Sequence, residues 1–145
     1  MTVWWSILLL ALVLSPLAWL MPSRGQRGQM DLRLQARRLG LAMQMARQEW
    51  PHWLERQPPQ SCAQYHRGRS RGRNDEWRYW QSAPGVWLDR WREPCADEEL
   101  LADLATLPGD VYMVEASAQF IALYWGERGD ASHLQRIAEF LSRRA

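Results

Sequence analysis

The sequence predicts an α+β chain in which a single N-terminal transmembrane helix precedes a small, largely antiparallel sheet domain with two to three helices. Three observations lead to that class. Residues 3–21 form an apolar run without one charged side chain. After it, short stretches show strand periodicity and are cut by Pro-Gly and Gly-rich turns. Helical patterns fall before, between and after groups of strands rather than alternating with each strand, which is the order of an α+β fold. At 145 residues the chain has room for one soluble domain beyond any targeting segment.

Residues 3–21 come close to the roughly 20 residues that cross a hydrocarbon core at about 1.5 Å per residue. Trp4, Trp5 and Trp19 stand at the two ends, where indole rings favour the membrane interface. Pro16 lies inside the run, with Ser15 placed to compensate the lost backbone bond. A cleaved signal peptide would carry a basic amino-terminal region and a small-x-small cleavage site, and neither is present. A buried soluble helix would not be apolar on every face. The expectation is an uncleaved anchor over residues 1–22. Arg24, Arg27, Arg33, Arg37 and Arg38 follow it against Asp31 alone. The positive-inside rule then puts the amino terminus outside and the rest of a single-pass, bacterial inner-membrane protein in the cytoplasm.

Residues 23–40 are expected as a basic juxtamembrane helix, its regular part over 26–39. Arg37 and Arg38 complement the dipole of its last turn, and Gly40 is the left-handed residue that closes it. One long helix to Glu49 is the alternative, but Gly40 would cost about 1 kcal/mol inside it. The α+β domain fills residues 41–145. Alternation over 41–46 predicts a strand, and Trp50-Pro51 and Pro58-Pro59 mark irregular chain. Residues 62–66 and 76–81 predict strands on either side of an Arg-Gly loop at 67–73. Ala83-Pro84-Gly85 has the order of a type II turn, with a partner strand over 86–91. Asp97 caps a helix to about residue 107, with Glu98 and Glu99 in its first turn and Leu100, Leu101, Leu104 and Leu107 as its apolar stripe. Strands follow over 111–116 and 119–125, then a helix over 130–143.

All 18 basic residues are Arg, so a lysine Schiff base and a P-loop lysine are excluded. Two Cys exclude a disulfide-dense scaffold and a four-thiolate zinc site. Cys62 and His66 have ligand-like spacing, but no second pair accompanies them, so neither a metal site nor a cofactor is expected. Asp97, Glu98 and Glu99 read better as a helix start than as a carboxylate cluster, and no nucleophile or nucleotide-binding motif is present. No catalytic residue is assigned. Net charge runs from +4 over residues 22–56 (seven Arg, three acids) through +3 over 57–94 (seven Arg, four acids) to −5 over 95–145 (four Arg, nine acids). A basic membrane-proximal half suits an anionic leaflet.

Two surfaces are candidates for binding. Arg67, Arg69, Arg71 and Arg73 alternate with small residues beside Tyr65, Trp77, Tyr79 and Trp80, a composition that suits anionic lipid or single-stranded RNA. Unpaired charge is costly in a core, so this loop is expected to be exposed and dispensable for folding. The competing account is a solvated hairpin loop. Trp77, Trp80, Trp87 and Trp91 surround one turn; strand alternation puts Trp77 and Trp80 on opposite faces, so a partner patch competes there with helices covering both sides.

The uncharged run, then Pro22, Ser23, Arg24, Gly25, Gln26 and Arg27, then a polar helix, resembles YajC, the small accessory subunit of the bacterial Sec translocase. The resemblance covers about the first forty residues. Of the Gly-Asp-x-Val-x-Thr-x-Gly-Gly stretch of that family, only Gly109, Asp110 and Val111 have counterparts. The resemblance implies a membrane-anchored accessory role, with membrane lipids and a membrane protein as partners. The expected function is a non-enzymatic inner-membrane interaction protein. The alternative is a tethered RNA or anionic-lipid binder using the Arg-Gly loop. A periplasmic domain with Cys62 and Cys95 paired is the third reading.

Overall fold

The computed structural model describes the backbone of residues 2–20 and 24–145 and the side chains of residues 2–15 and 27–145. The chain forms two units, Met1–Asp31 and Leu32–Ala145. The expected boundary at residues 21–23 and the side chain of Arg24 lie outside the described residues.

The first unit contains α1 (Thr2–Leu20) and the start of α2 (Arg24–Arg38). Here the expectation of a transmembrane anchor is corrected: among the described residues, no helix is long and apolar enough to cross a membrane. α1 is an uncharged helix of 19 residues, Thr2–Leu20, with side chains described from Thr2 to Ser15. The single-pass inner-membrane placement and its orientation lose their premise with the span.

The second unit is an antiparallel six-stranded sheet in the order β1-β2-β6-β5-β3-β4. Its strands are β1 (Ala42–Arg47), β2 (Ser61–Gly68), β3 (Trp77–Ala83), β4 (Val86–Leu88), β5 (Val111–Ala116) and β6 (Phe120–Trp125). Two further helices, α3 (Glu98–Leu104) and α4 (Ala131–Arg144), complete it. Strand alternation sends Ala63, Tyr65, Val114, Ile121, Leu123 and Trp125 into a core shared with Leu32 and Ala36 of α2, Leu100 and Leu104 of α3, and Leu134, Ile137 and Leu141 of α4. The opposite face carries Cys62, Trp80, Met113 and Tyr124, packed with Leu54, Trp50 and Trp53 of residues 48–60. With both sides covered, Ile121–Trp125 is buried throughout, although its sequence alternates in size rather than in polarity.

Local chemistry sets the element ends. Gly40 has φ 82°, and the Gly40 and Leu41 N–H groups donate to the carbonyls of Arg37 and Ala36 at 3.2 and 3.0 Å, a Schellman closure of α2. Asp97 caps α3 by accepting from the Glu99 and Leu100 N–H groups. Asp130 caps α4, and the His133 ring returns a bond to the Asp130 N–H. Gly85, at φ 82°, makes the expected turn after Pro84. The strand expected over residues 86–91 ends early at Leu88, for a reason that shapes the site below.

Candidate functional site

The site begins where β4 stops. Asp89 Oδ1 accepts from both the Trp91 and Glu93 N–H groups at 2.9 Å, and Arg92 takes a left-handed φ of 64°. The chain therefore doubles back on itself, and Pro94 bridges to Leu88. An Asp that hydrogen-bonds the backbone two residues on is a turn former, and here it ends the strand. β4 consequently pairs only with the second half of β3, from Trp80 to Ala83. Among the described residues, Trp77, Arg78 and Tyr79 have a strand neighbour on the β5 side alone.

The space left beside them is a cleft of about 630 Å³ lined by Trp77, Arg78, Trp80, Trp91, Glu115 and Phe120, among others. Trp91 is 66% exposed, and the Arg90 guanidinium stacks over its ring at 4.0 Å from the centroid. Trp77 leans on Tyr79 at 5.9 Å and donates from its indole nitrogen to Asp75 at 3.1 Å. Arg78 pairs with Glu115 at 2.9 Å and lies over the Trp80 ring at 5.8 Å. Burial, with help from a bond to Cys95, pushes the Tyr79 hydroxyl up to about 12, so it acts as a neutral donor. The cleft offers flat aromatic surface, both signs of charge and unpaired strand backbone.

A line of hydrogen bonds runs from this cleft across the sheet. Glu115 accepts from Arg78 at 3.1 Å and from the Tyr124 hydroxyl at 3.4 Å. That hydroxyl accepts from Gln64 at 2.9 Å and from Gln48 at 2.7 Å, and Gln64 accepts from Gln44 at 2.6 Å. Five strands are thus joined by side chains from β3 to β1. Burial first, then the Glu115 charge, raises the Tyr124 hydroxyl to about 12.

The four Trp predicted as one patch do not form one. Trp87 is buried in the core under the helices and Trp80 in the core on the opposite face. Trp77 is half-buried, and Trp91 stands in the turn. The Arg-Gly loop also differs from the expectation of four solvated guanidiniums. Arg71 and Arg73 are exposed and Arg67 is half-buried in β2. The Arg69 side chain is fully buried: it donates to the Asp75 and Ser117 carbonyls at 2.7 and 2.8 Å, to the Arg144 carbonyl at 3.3 Å, and to the Asp75 carboxylate at 2.6 Å. A guanidinium presents five donors, so the carbonyls of Asp75, Ser117 and Arg144 with the Asp75 carboxylate can satisfy it without solvent. Burial opposes ionisation of Asp75, but the bonds from Arg69 and Trp77 outweigh it and hold the carboxyl below its usual range.

Of the basic residues after α1, Arg27, Arg37 and Arg38 are exposed, while Arg33 is paired with Glu127. Cys62 and Cys95 are free, buried thiols in separate cores on the two sides of the sheet. Among the described residues, no group of three or more His, Cys, Asp or Glu could hold a metal ion. Sequence reasoning missed Arg78, Glu115, Phe120, Tyr124, Gln64 and Gln44, which come together only through strand order. The signal within reach was Asp89 with Pro94 five residues on, which argues for a turn where a strand was expected. No family model, curated protein or solved structure matches the chain.

Proposed function

We propose that this chain is a non-enzymatic protein-interaction domain that receives an extended segment of a partner along the first half of β3. The observation that carries this reading is the half-paired strand: Trp77, Arg78 and Tyr79 lack a neighbour on the β4 side, among the described residues, and the adjoining cleft holds an indole that is 66% exposed. Strand addition draws affinity from main-chain hydrogen bonds and selectivity from pockets for alternate side chains. Trp77, Trp91 and Phe120 supply apolar pockets, and the Arg78–Glu115 pair supplies polar contacts. Exposed large aromatics of this kind are the residues that dominate interface energetics.

The test is site-specific photocrosslinking in the native cell. A photoreactive side chain at position 91 is expected to trap a discrete partner, and the same group at the exposed Leu101 of α3 is not. The amide hydrogens of residues 77–79 are expected to gain protection from exchange when the trapped partner is added. Equal trapping at 91 and 101, or no change in protection, rejects the reading.

A further inference from the structure

The sheet ends differently on its two sides. At one side β4 is three residues long and is closed off by the Asp89 turn and the Leu88–Pro94 bridge. At the other, β1 is six residues long and pairs with β2 in unbroken register from Ala42↔His66 to Arg47↔Ser61. It contains no proline and no bulge, and no charge before Arg47. Those are the devices that blunt an edge strand, whose outward N–H and C=O groups otherwise template another strand. Among the described residues no strand lies beyond β1. Its residue types are symmetric: Ala42, Met43, Gln44, Met45 and Ala46 read the same in both directions.

We propose that β1 is a homodimer interface, with two copies of the chain paired antiparallel along it and Gln44 on the two-fold axis. In that register every facing pair over Ala42–Ala46 is like with like. Gln44 meets the partner's Gln44, Met43 meets the partner's Met45, and Ala42 meets the partner's Ala46. Arg47 falls opposite the partner's Leu41, so the two guanidiniums stay at opposite ends. Parallel in-register pairing would set Arg47 beside its own copy, and like charges directly opposite are destabilising. A slip of one residue would turn every side chain to the wrong face.

The side chains support the same axis. One Gln44 N–H is committed to Gln64 at 2.6 Å, which leaves the second N–H and the carbonyl oxygen for a reciprocal amide pair. The line of hydrogen bonds from Arg78 to Gln44 then continues into the second subunit. On the other face, Met45 is 53% exposed and Met43 partly buried; the pairing gathers four thioether side chains and covers Met45. Five facing residues per strand bury less than the about 1,200 Å² of a standard interface, which suits a reversible dimer with a dissociation constant on the order of micromolar.

The experiment compares two cysteine variants of the full chain, Gln44→Cys and Arg47→Cys, under mild oxidation. Facing Cβ atoms of an antiparallel pair are about 5 Å apart. Two copies of position 47 are separated by six residues along the pair, about 20 Å. Gln44→Cys is expected to form the disulfide dimer at least about tenfold faster than Arg47→Cys, since bridging demands close Cβ atoms. Adding Met45→Lys is expected to lower the rate of the Gln44→Cys variant about tenfold by charging the edge. Near-ultraviolet circular dichroism confirms that each variant keeps its packed Trp residues. Association through the exposed apolar side chains of α1 would raise both rates alike. Equal rates at 44 and 47, slow rates at both, or indifference to Met45→Lys each overturns the proposal.

Discussion

Arg33 holds Glu127 through both carboxylate oxygens, Nε to Oε2 at 3.0 Å and a terminal nitrogen to Oε1 at 2.8 Å. The Tyr65 hydroxyl donates to the same Oε2 at 2.7 Å. Glu127 sits at a left-handed φ of 57° just after β6, and its side chain is 4% exposed. The pair ties the second half of α2 to the sheet. Burial, and then the bond to Glu127, push the Tyr65 hydroxyl well above its ordinary value, so it remains a donor at any physiological pH.

Breaking this pair from one side strands a buried carboxylate. Arg33→Met is expected to destabilise the fold by about 2–4 kcal/mol, less than for a fully buried pair because Arg33 is one-third exposed. Arg33→Met with Glu127→Leu is expected to recover at least half of that loss, because the orphaned charge is gone. Urea denaturation of the two variants measures both numbers. A single-variant cost below about 1 kcal/mol contradicts the assignment.

Arg69 and Arg71 share a loop but not a role. Arg69→Ser leaves the carbonyls of Asp75 and Ser117 without their donor and is expected to cost about 2–3 kcal/mol. Arg71→Ser, at an exposed position, is expected to stay within about 0.5 kcal/mol. Thermal melts of the two single variants separate them, and equal effects refute the distinction.

Alkaline stability follows from buried acids. Burial first, then the Glu127 charge, raises Cys62 to about 12 from 9.0, and Tyr124 rises to about 12 from 10.0. The folded state keeps these protons while the unfolded chain releases them, so their contribution is whole below pH 9 and declines as pH rises toward 12. The slope is about 1.4 kcal/mol per pH unit for each proton released. Cys62→Ala is expected to flatten the curve between pH 9 and 12 by one proton. Denaturant titrations across that range, for parent and variant, give the slope directly.

Gly40 closes α2 at φ 82°, with open space where a Cβ would stand. Gly40→Ala is expected to cost about 1 kcal/mol from backbone strain alone, and Gly40→Asn less, since Asn tolerates that conformation. Equal melting temperatures for Gly40→Ala and the parent would mean that the helix end had rearranged.

The local features of the fold were legible because each has a short-range cause. Gly40, the Pro84-Gly85 turn, the Asp97 cap and the order of four strands, helix, two strands and helix all follow from neighbouring residues. The early end of β4 was hidden because Val86 to Trp91 alternates acceptably as a strand, and the Asx turn at Asp89 competes with that pattern. The expected membrane span rested on the absence of charge over residues 3–21. The site is least legible of all. Arg78, Glu115, Tyr124, Gln64 and Gln44 lie on five strands, and their line depends on β2 pairing with β6, a long-range choice that no local pattern encodes. Arg69 illustrates the same limit, since the carbonyls that receive it come from residues 75, 117 and 144.

The pairing of β2 with β6 also sets a clock. β2 ends at Gly68 and its central neighbour does not begin until Phe120. At ribosomal speeds of about 5–20 residues per second, the intervening chain takes roughly 3–10 s to emerge. During that interval the β1–β2 hairpin is complete but has lost no edge, and Tyr65 and Ala63 have no core to enter. The chain therefore passes through a nascent state that presents both an unpaired strand and the apolar face it will later bury; β6 ends the first exposure, and α4, which follows β6 in the chain, completes the cover of the second.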